Sequence, residues 1–577
     1  MQETHAAKAS ARLQGFDDFV HQVMQDWKVQ GLAIALIKNG EVILSRGFGK
    51  RDVASGRDVT PQTLFPIASC SKAFTTAALA VLADAGKMDW DTPVRVYMPE
   101  FKLLDPFATE RMTPRDLVSH RSGLPRHDMA WYNASVTRQE LFERLQYLEP
   151  TKDFRSLWQY QNLMYMAAGY LIERITGQTW EGFVSQHLFA HLEMTASNFS
   201  ITETAEHADD FSHPYREKDD KVEEMPFYGA QGAIGPAGAI VSNVDEMGRW
   251  VLMHLRDGKY NDKQVLSASQ VTLLHSPQMI IPETGKFAEI PYSSYALGWF
   301  VTPYRGHPMI QHGGNIDGFS SLTSLFPHEN IGMVVLTNMD SSPVPGILTY
   351  HVFERLAGLD TIDWSARYKK DWAEIKEAEK KGKEKSETDR VANTHPSHEL
   401  DAYVGDYEHP GYGVIAITRE GDGLQASFNN ITAALKHYHY DIFDLQIERF
   451  DLDLKVSFLT NFKGDIDTLV APLEVTARDI VFKRVASKEM TERSFLEQFV
   501  GAYELMGVRA IVALKGEKTL QLTVPGQPEY ELEPYKGTEF RVKNMSGFSL
   551  EFTRDEAGQI TAVVITQPFG TFTAQKV

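Results

Sequence analysis

The sequence predicts an α+β protein: an antiparallel sheet with helices drawn from the middle of the chain, followed by two small antiparallel β-barrels. Three observations carry this reading. Strand hairpins stand near both ends of roughly the first 360 residues, around a helix-rich middle. A stretch of interleaved Glu and Lys then breaks the texture. Beyond it, short alternating segments separated by Gly, Asp and Asn turns run in two copies of one repeat.

The elements follow in order. Phe16, Phe19, Val20, Val23 and Trp27 mark the apolar face of an opening helix. Leu32–Ile37, the turn Asn39-Gly40 and Val42–Leu44 read as a hairpin, because Asn-Gly tolerates the positive φ angles of a tight turn. Ala73–Leu82 is built of good helix formers. Ser321–Phe326 and Ile331–Thr337 form a closing hairpin. From Trp364 to Asp389 the charges alternate at helical spacing, as in a solvated helix or linker that ends at His395-Pro396-Ser397-His398. Leu400–Glu408 (LDAYVGDYE) then repeats as Leu496–Glu504 (LEQFVGAYE), each copy opening one barrel; a single larger barrel made of both copies is the rival. The expected domains are 1–363, a charged linker 364–398, and barrels 399–488 and 489–577.

Length and composition fit a multidomain globular protein: 577 residues, 43% hydrophobic and 23% charged. A net charge of -19 without a dense Lys/Arg cluster speaks against nucleic-acid binding. No stretch reaches the roughly 18 apolar residues of a membrane helix, and Met1–His5 opens no secretory signal, so no membrane partner and a cytoplasmic location are expected. Cys70 is the single cysteine, which excludes an intrachain disulfide and a thiolate metal cluster. His437-Tyr438-His439 alternates along a strand and reads as ordinary barrel sequence, so no metal or organic cofactor is expected.

Three short motifs carry chemistry. Ser69-Cys70-Ser71-Lys72 stands at a helix start. A serine hydroxyl is a weak nucleophile until a base takes its proton, and a lysine three residues on can do so once burial lowers its pKa. Tyr160-Gln161-Asn162 precedes the apolar helix Leu163–Thr176, closed by Gly177. Its phenol suits general acid/base work if a nearby ammonium lowers its pKa, and its amide can hold substrate and lysine. His312-Gly313-Gly314-Asn315 precedes the last hairpin, its glycines leaving room for another backbone, such as a substrate's. Each motif alone also has a bland reading: an N-cap serine, a loop tyrosine, a turn with a structural histidine.

Together, in this order and at these separations, the motifs resemble the class C β-lactamase-like branch of the penicillin-binding serine hydrolases. His120-Arg121-Ser122-Gly123-Leu124-Pro125 and Tyr295–Trp299 are similar to that branch too. His-x-Gly with two trailing, lipocalin-like barrels is closest in architecture to the D-stereospecific aminopeptidases. The resemblance implies catalytic Ser69, Lys72 and Tyr160, substrate contacts from Asn162, His312, Gly313, Gly314 and Asn315, and an oxyanion hole made by the N–H groups of Ser69 and Asn315. It implies an acyl-enzyme hydrolase of small amides, short peptides or esters, D-aminopeptidase-like. The alternatives are a carboxylesterase, a weak β-lactamase or DD-peptidase, and an inactive binding protein of the same fold. The barrels are expected either to restrict the substrate, through acidic loops at Gly526–Glu529 or Arg554–Gly558, or to make a homodimer.

Overall fold

The computed structural model describes residues 12–226, 232–283, 285–447, 452–545 and 547–577. The chain divides into two compact units, one made of residues up to Asp389 together with Glu474–Ala477, the other of the remaining C-terminal residues.

The first unit is organised on a nine-stranded sheet. Its strands are β1 (Gly31–Lys38), β2 (Glu41–Asp52), β3 (Arg57–Asp58), β4 (Met279–Ile281), β5 (Ser293–Tyr295), β6 (Phe300–Tyr304), β7 (His307–Ile316), β8 (Phe319–Phe326) and β9 (Ile331–Thr337). The spatial order is β4-β5-β6-β7-β8-β9-β1-β2-β3, antiparallel throughout. Asn39 and Gly40 both adopt positive φ (53° and 79°) in the turn between β1 and β2, as the Asn-Gly signal requires. Leu32–Ile37 is fully buried because β1 is central and covered on both faces. Leu32, Ile34 and Leu36 join a core with Phe16, Val20 and Val23 of helix α1 (Phe16–Asp26).

The other face takes α4 (Val244–Leu255); α2 (Ser71–Asp84) stacks Phe74 on Trp250 of α4 at 3.9 Å and packs against α3 (Leu163–Thr176). Helix α2 is buried nearly all round, as its Ala-rich sequence allows. Gly332 of β9 admits α4 closely, since a Cβ there would lie 2.2 Å from Val251 Cγ1. Helix α5 (Val344–Ala357) packs with α1, burying Val344, Leu348, Val352 and Phe353 in the same core.

The charged stretch is helix α6 (Trp364–Thr388), largely exposed. Its first turn departs from a purely solvated helix: Trp364 is buried and donates Nε1–H to the Tyr304 hydroxyl at 2.8 Å. Charge pattern reported the solvated length but not the aromatic anchor.

The second unit holds two closed eight-stranded barrels rather than one larger one. The first uses β10 (Gly405–His409), β11 (Gly413–Glu420), β12 (Gly423–Phe428), β13 (Ile431–His439), β14 (Ile442–Ile447), β15 (Leu452–Thr460), β16 (Ile466–Ala471) and β17 (Ile480–Val485). The second uses β18 (Gly501–Leu505), β19 (Val508–Lys515), β20 (Thr519–Thr523), β21 (Tyr530–Lys536), β22 (Glu539–Val542), β23 (Ser549–Arg554), β24 (Ile560–Gln567) and β25 (Gly570–Lys576). The repeat has a physical job. In each copy the tyrosine before the closing Glu is buried and donates its hydroxyl to the carbonyl four residues back, Tyr407 to Tyr403 (2.9 Å) and Tyr503 to Phe499 (2.8 Å). That bond ties the short entry helix, which plugs one end of the barrel, to the first strand.

Candidate active site

Ser69 sits in a single 3-10 turn, Ala68–Cys70, directly before α2. Ala68 holds φ at 46°, a left-handed backbone that a residue with a Cβ adopts under constraint. The constraint comes from β7 and β8. Ser321 Oγ donates to the Ile67 carbonyl at 2.8 Å, and Gly314 lies so close that a Cβ would stand 2.2 Å from Ile67 O and 3.0 Å from Ser69 N. The close approach expected at the two glycines is therefore made by the chain's own turn at Ser69. Gly313 carries no such demand, its nearest neighbour lying at 3.6 Å.

Lys72 is fully buried on the first turn of α2. Its Nζ has three oxygen neighbours: Ser69 Oγ at 3.0 Å, Asn162 Oδ1 at 2.7 Å and the Ala237 carbonyl at 2.9 Å. Two of these can only accept. A neutral amine satisfies both with its two protons and turns its lone pair to the Ser69 hydroxyl, which can donate. Burial, with the Arg126 guanidinium adding to it, drives the Lys72 pKa well below its ordinary value. Both facts favour Lys72 as the base that takes the Ser69 proton.

Tyr160 completes the trio. Its hydroxyl is hydrogen-bonded to Ser69, and the Lys72 ammonium position lies 4.9 Å from its ring centre. The expectation of a lowered phenol pKa is overturned: burial outweighs the Ser69 hydrogen bond and the Arg126 cation and pushes it up, so Tyr160 holds its proton in the resting site. Asn162 stands at the N-cap position of α3 without a side-chain capping bond and donates Nδ2–H to Asp128 Oδ1 at 3.1 Å. Gln161 faces away, its Oε1 accepting the Met164 N–H at 2.9 Å.

The segment ending His120–Pro125 positions Tyr160. Backbone bonds from Arg155 N to Arg121 O (2.8 Å) and Gln159 N to His120 O (2.8 Å) zip it against 151–159. The His120 ring lies 4.3 Å from the Tyr160 ring, and its Nδ1 accepts the Gln161 N–H at 3.3 Å. Buried Asp116 anchors the segment through Arg121 Nε (2.6 Å) and Arg155 Nη2 (2.6 Å), while capping its own helix at Thr113.

His312 is buried, with Nδ1 2.7 Å from the Gly313 carbonyl and Nε2 2.9 Å from the Tyr295 hydroxyl. These partners assign the proton to Nδ1 and make Nε2 the acceptor. Burial, then the Lys72 charge, brings its pKa down to about 3. Both nitrogens are thus engaged inside the protein, and the ring stands 6.2 Å from that of Tyr160. Asn315 is exposed, and its Oδ1 accepts from Ser320 Oγ at 2.7 Å. Cys70 packs as a buried small residue, its Sγ 3.1 Å from the His312 carbonyl.

Two charged residues escaped sequence reading although they directly follow the Ser122-Gly123-Leu124-Pro125 stretch. Arg126 lies over the Tyr160 ring at 5.4 Å and bonds Asp128 Oδ2 through Nε at 2.6 Å. Asp128 also accepts from Trp131 Nε1 at 3.0 Å. An Arg-x-Asp pair is too common to stand out without the fold. Glu474 belongs to the same unit, its carboxylate taken up by the His127 N–H (2.8 Å) and by Thr476 N–H and Oγ1 (3.1 and 2.7 Å). Among the described residues no cluster of three or more metal-type ligands occurs, and no helix is long and apolar enough to cross a membrane.

The β-lactamase family model matches residues 16–356, and a domain of unknown function (DUF3471) matches 389–484. The fold and site define a β-lactamase-like, penicillin-binding-like serine hydrolase. The chain belongs to the β-lactamase family. Similar curated proteins include the unguisins hydrolase ungD' of Aspergillus campestris, 29% identical over 70% of this chain and 77% of that protein. Protein flp of Staphylococcus aureus (strain N315) is 26% identical over 58% of this chain and 65% of its own length. A solved structure, the octameric penicillin-binding protein homologue from Pyrococcus abyssi, aligns over 82% of this chain and all of that one, with TM-score 0.54 and 21% identity.

Proposed function

We propose that this protein hydrolyses small amides, short peptides or esters through an acyl-enzyme on Ser69, with a D-aminopeptidase-like preference for substrates bearing a free amine. The observation that carries the reading is the Lys72 amine, 3.0 Å from Ser69 Oγ and held by two obligate acceptors. Ser69 Oγ attacks the carbonyl carbon while its proton passes to Lys72 Nζ. Tyr160 gives its proton to the leaving nitrogen or oxygen and is recharged from Lys72. Water then attacks the acyl carbon, loses its proton along the same path, and releases the acid. The N–H groups of Ser69 and Asn315 are the oxyanion donors, each worth about 3 kcal/mol of barrier.

Asp128 is the group we assign to the substrate amine. A carboxylate has about four lone-pair sites; Asn162, Trp131 and Arg126 occupy three of those on Asp128. The half-exposed Arg126 arm is the partner an ammonium would displace. Glu474 suits this role less, its oxygens being taken up by the neighbouring backbone and Thr476. That one similar protein is an unguisins hydrolase supports turnover over mere ligand binding.

The test is Ser69→Ala, which should fold normally, lose essentially all hydrolysis of p-nitrophenyl acetate and D-alanine p-nitroanilide, and lose labelling by a serine-directed phosphonate. Labelling at the wild-type level in that variant would refute the assignment.

A further inference from the structure

We propose that the second barrel is a binding site for one uncharged, medium-length alkyl molecule, held in the open end of its lumen. The proposal is independent of the hydrolase site and rests on a difference between the two copies of the repeat.

One end of each barrel is plugged alike. Phe499 lies 4.9 Å from both Phe540 and Phe552 in the second barrel, and Tyr403 packs on Phe443 and Phe458 (5.3 and 5.1 Å) in the first. The other ends differ. In the first barrel, His409 pairs with Gly413 across the three-residue turn Pro410-Gly411-Tyr412. Tyr412 is fully buried, its ring 6.2 Å from Phe482. In the second barrel, Leu505 pairs with Val508 across two residues, Met506-Gly507, and the chain supplies no counterpart of Tyr412. On the next strand, buried Ile415 opposite Tyr407 is answered by Ala510 opposite Tyr503. A shorter turn and a smaller side chain therefore leave space in the second lumen.

That space is a cavity of ≈ 310 Å³ whose floor includes Tyr503, Leu522 and Leu550 and whose mouth includes Met506 and Gln527. Its described lining is apolar apart from a few hydroxyl and amide groups, and none of it is charged. An eight-stranded barrel is just wide enough either to be filled by its own side chains or to hold one small ligand. An apolar cavity of 150 Å³ stays dry and takes benzene, so this one has room for roughly twice that bulk. The missing charge selects an uncharged ligand, since a buried ion without a partner would lose its hydration uncompensated. Gln527 and Gln567 supply amides for a hydroxyl, ester or amide end group.

The full-length protein is titrated with N-phenyl-1-naphthylamine, whose fluorescence rises in apolar surroundings, and the bound probe is displaced with 1-decanol or decanoate. One site per chain is expected, with decanol displacing the probe at least tenfold more effectively than decanoate. Two variants fill the lumen: Ala510→Trp, and insertion of Tyr after Gly507 to restore the three-residue turn. Each should weaken probe binding at least tenfold while leaving the circular dichroism spectrum and ester hydrolysis unchanged; the second variant keeps the test valid if the first does not fold. Probe binding unaltered in the folded variants would overturn the proposal, as would preference for decanoate. So would a wild type that gives no enhancement and sediments as a dimer, because the mouth would then be covered by a second copy.

Discussion

As the proposed base, Lys72 has to be a neutral amine, and its surroundings set the pH at which it is one. Burial and the Arg126 cation push its pKa down, while Asp128 pushes the other way. A base with a depressed pKa is available above that value and lost as pH falls through it, so kcat/KM should rise tenfold per pH unit along an acidic limb and level well below 10.5. Arg126→Gln removes a lowering influence and frees Asp128, and should move this limb to higher pH. Asp128→Asn should move it lower. A limb that stays put in both variants would mean that another group is the base. His312, neutral down to about pH 3, should add no inflection between about pH 5 and 9. Tyr160→Phe should lower kcat by about 10²–10⁴-fold with KM little changed, since the phenol proton is needed mainly at the leaving group.

At the scale of elements, the site depends on two contacts that carry no chemistry. The first is β7 against the nucleophile turn. Gly314→Ala would press a methyl onto Ile67 O and Ser69 N, and should cost about 1–3 kcal/mol of stability and most of the activity. Gly313→Ala has ordinary van der Waals room and should retain activity; equal damage from both would show that the glycines serve something other than this approach. The second contact is Asp116, which holds the 113–125 segment through Arg121 and Arg155. Asp116→Ala should destabilise by about 3 kcal/mol, the low end for a broken buried pair because both arginines reach solvent. A thermal melt would read this as a lower Tm, and Asp116→Asn should recover part of it through the retained cap.

For the whole molecule, the question is which domain selects the substrate. The proposed amine recognition at Asp128 would place selectivity within the first unit, whereas the acidic turns 526–529 and 554–558 are the candidates that charge and turn composition pick out. The two assignments separate cleanly. A chain ending at Ser487 should keep its ratio of rates on free-amine and N-acetylated substrates if Asp128 selects, and Asp128→Asn should collapse that ratio in the full chain. A ratio lost on truncation but kept in Asp128→Asn would return the role to the second barrel. His312 supplies no cation at neutral pH, so benzylpenicillin, with its carboxylate, should be turned over far more slowly than neutral esters.

What the sequence determined by itself was whatever is encoded locally or as a spaced set. Asn39-Gly40 announced its turn because only such residues accept two successive positive φ angles. The LDAYVGDYE repeat announced two barrels because each copy must close its own plug onto its own first strand. The order of Ser69, Lys72, Tyr160 and His312 pointed to one family because that combination is rare although each piece is common. Tertiary structure decided the rest, because the deciding quantities are distances and burial between residues far apart in the chain. Whether Lys72 is neutral depends on Asn162 and Ala237, 90 and 165 residues away. That Tyr160 keeps its proton, that His312 turns its imidazole to Tyr295 and that Gly314 serves the turn at Ser69 all follow from packing, which no local pattern records.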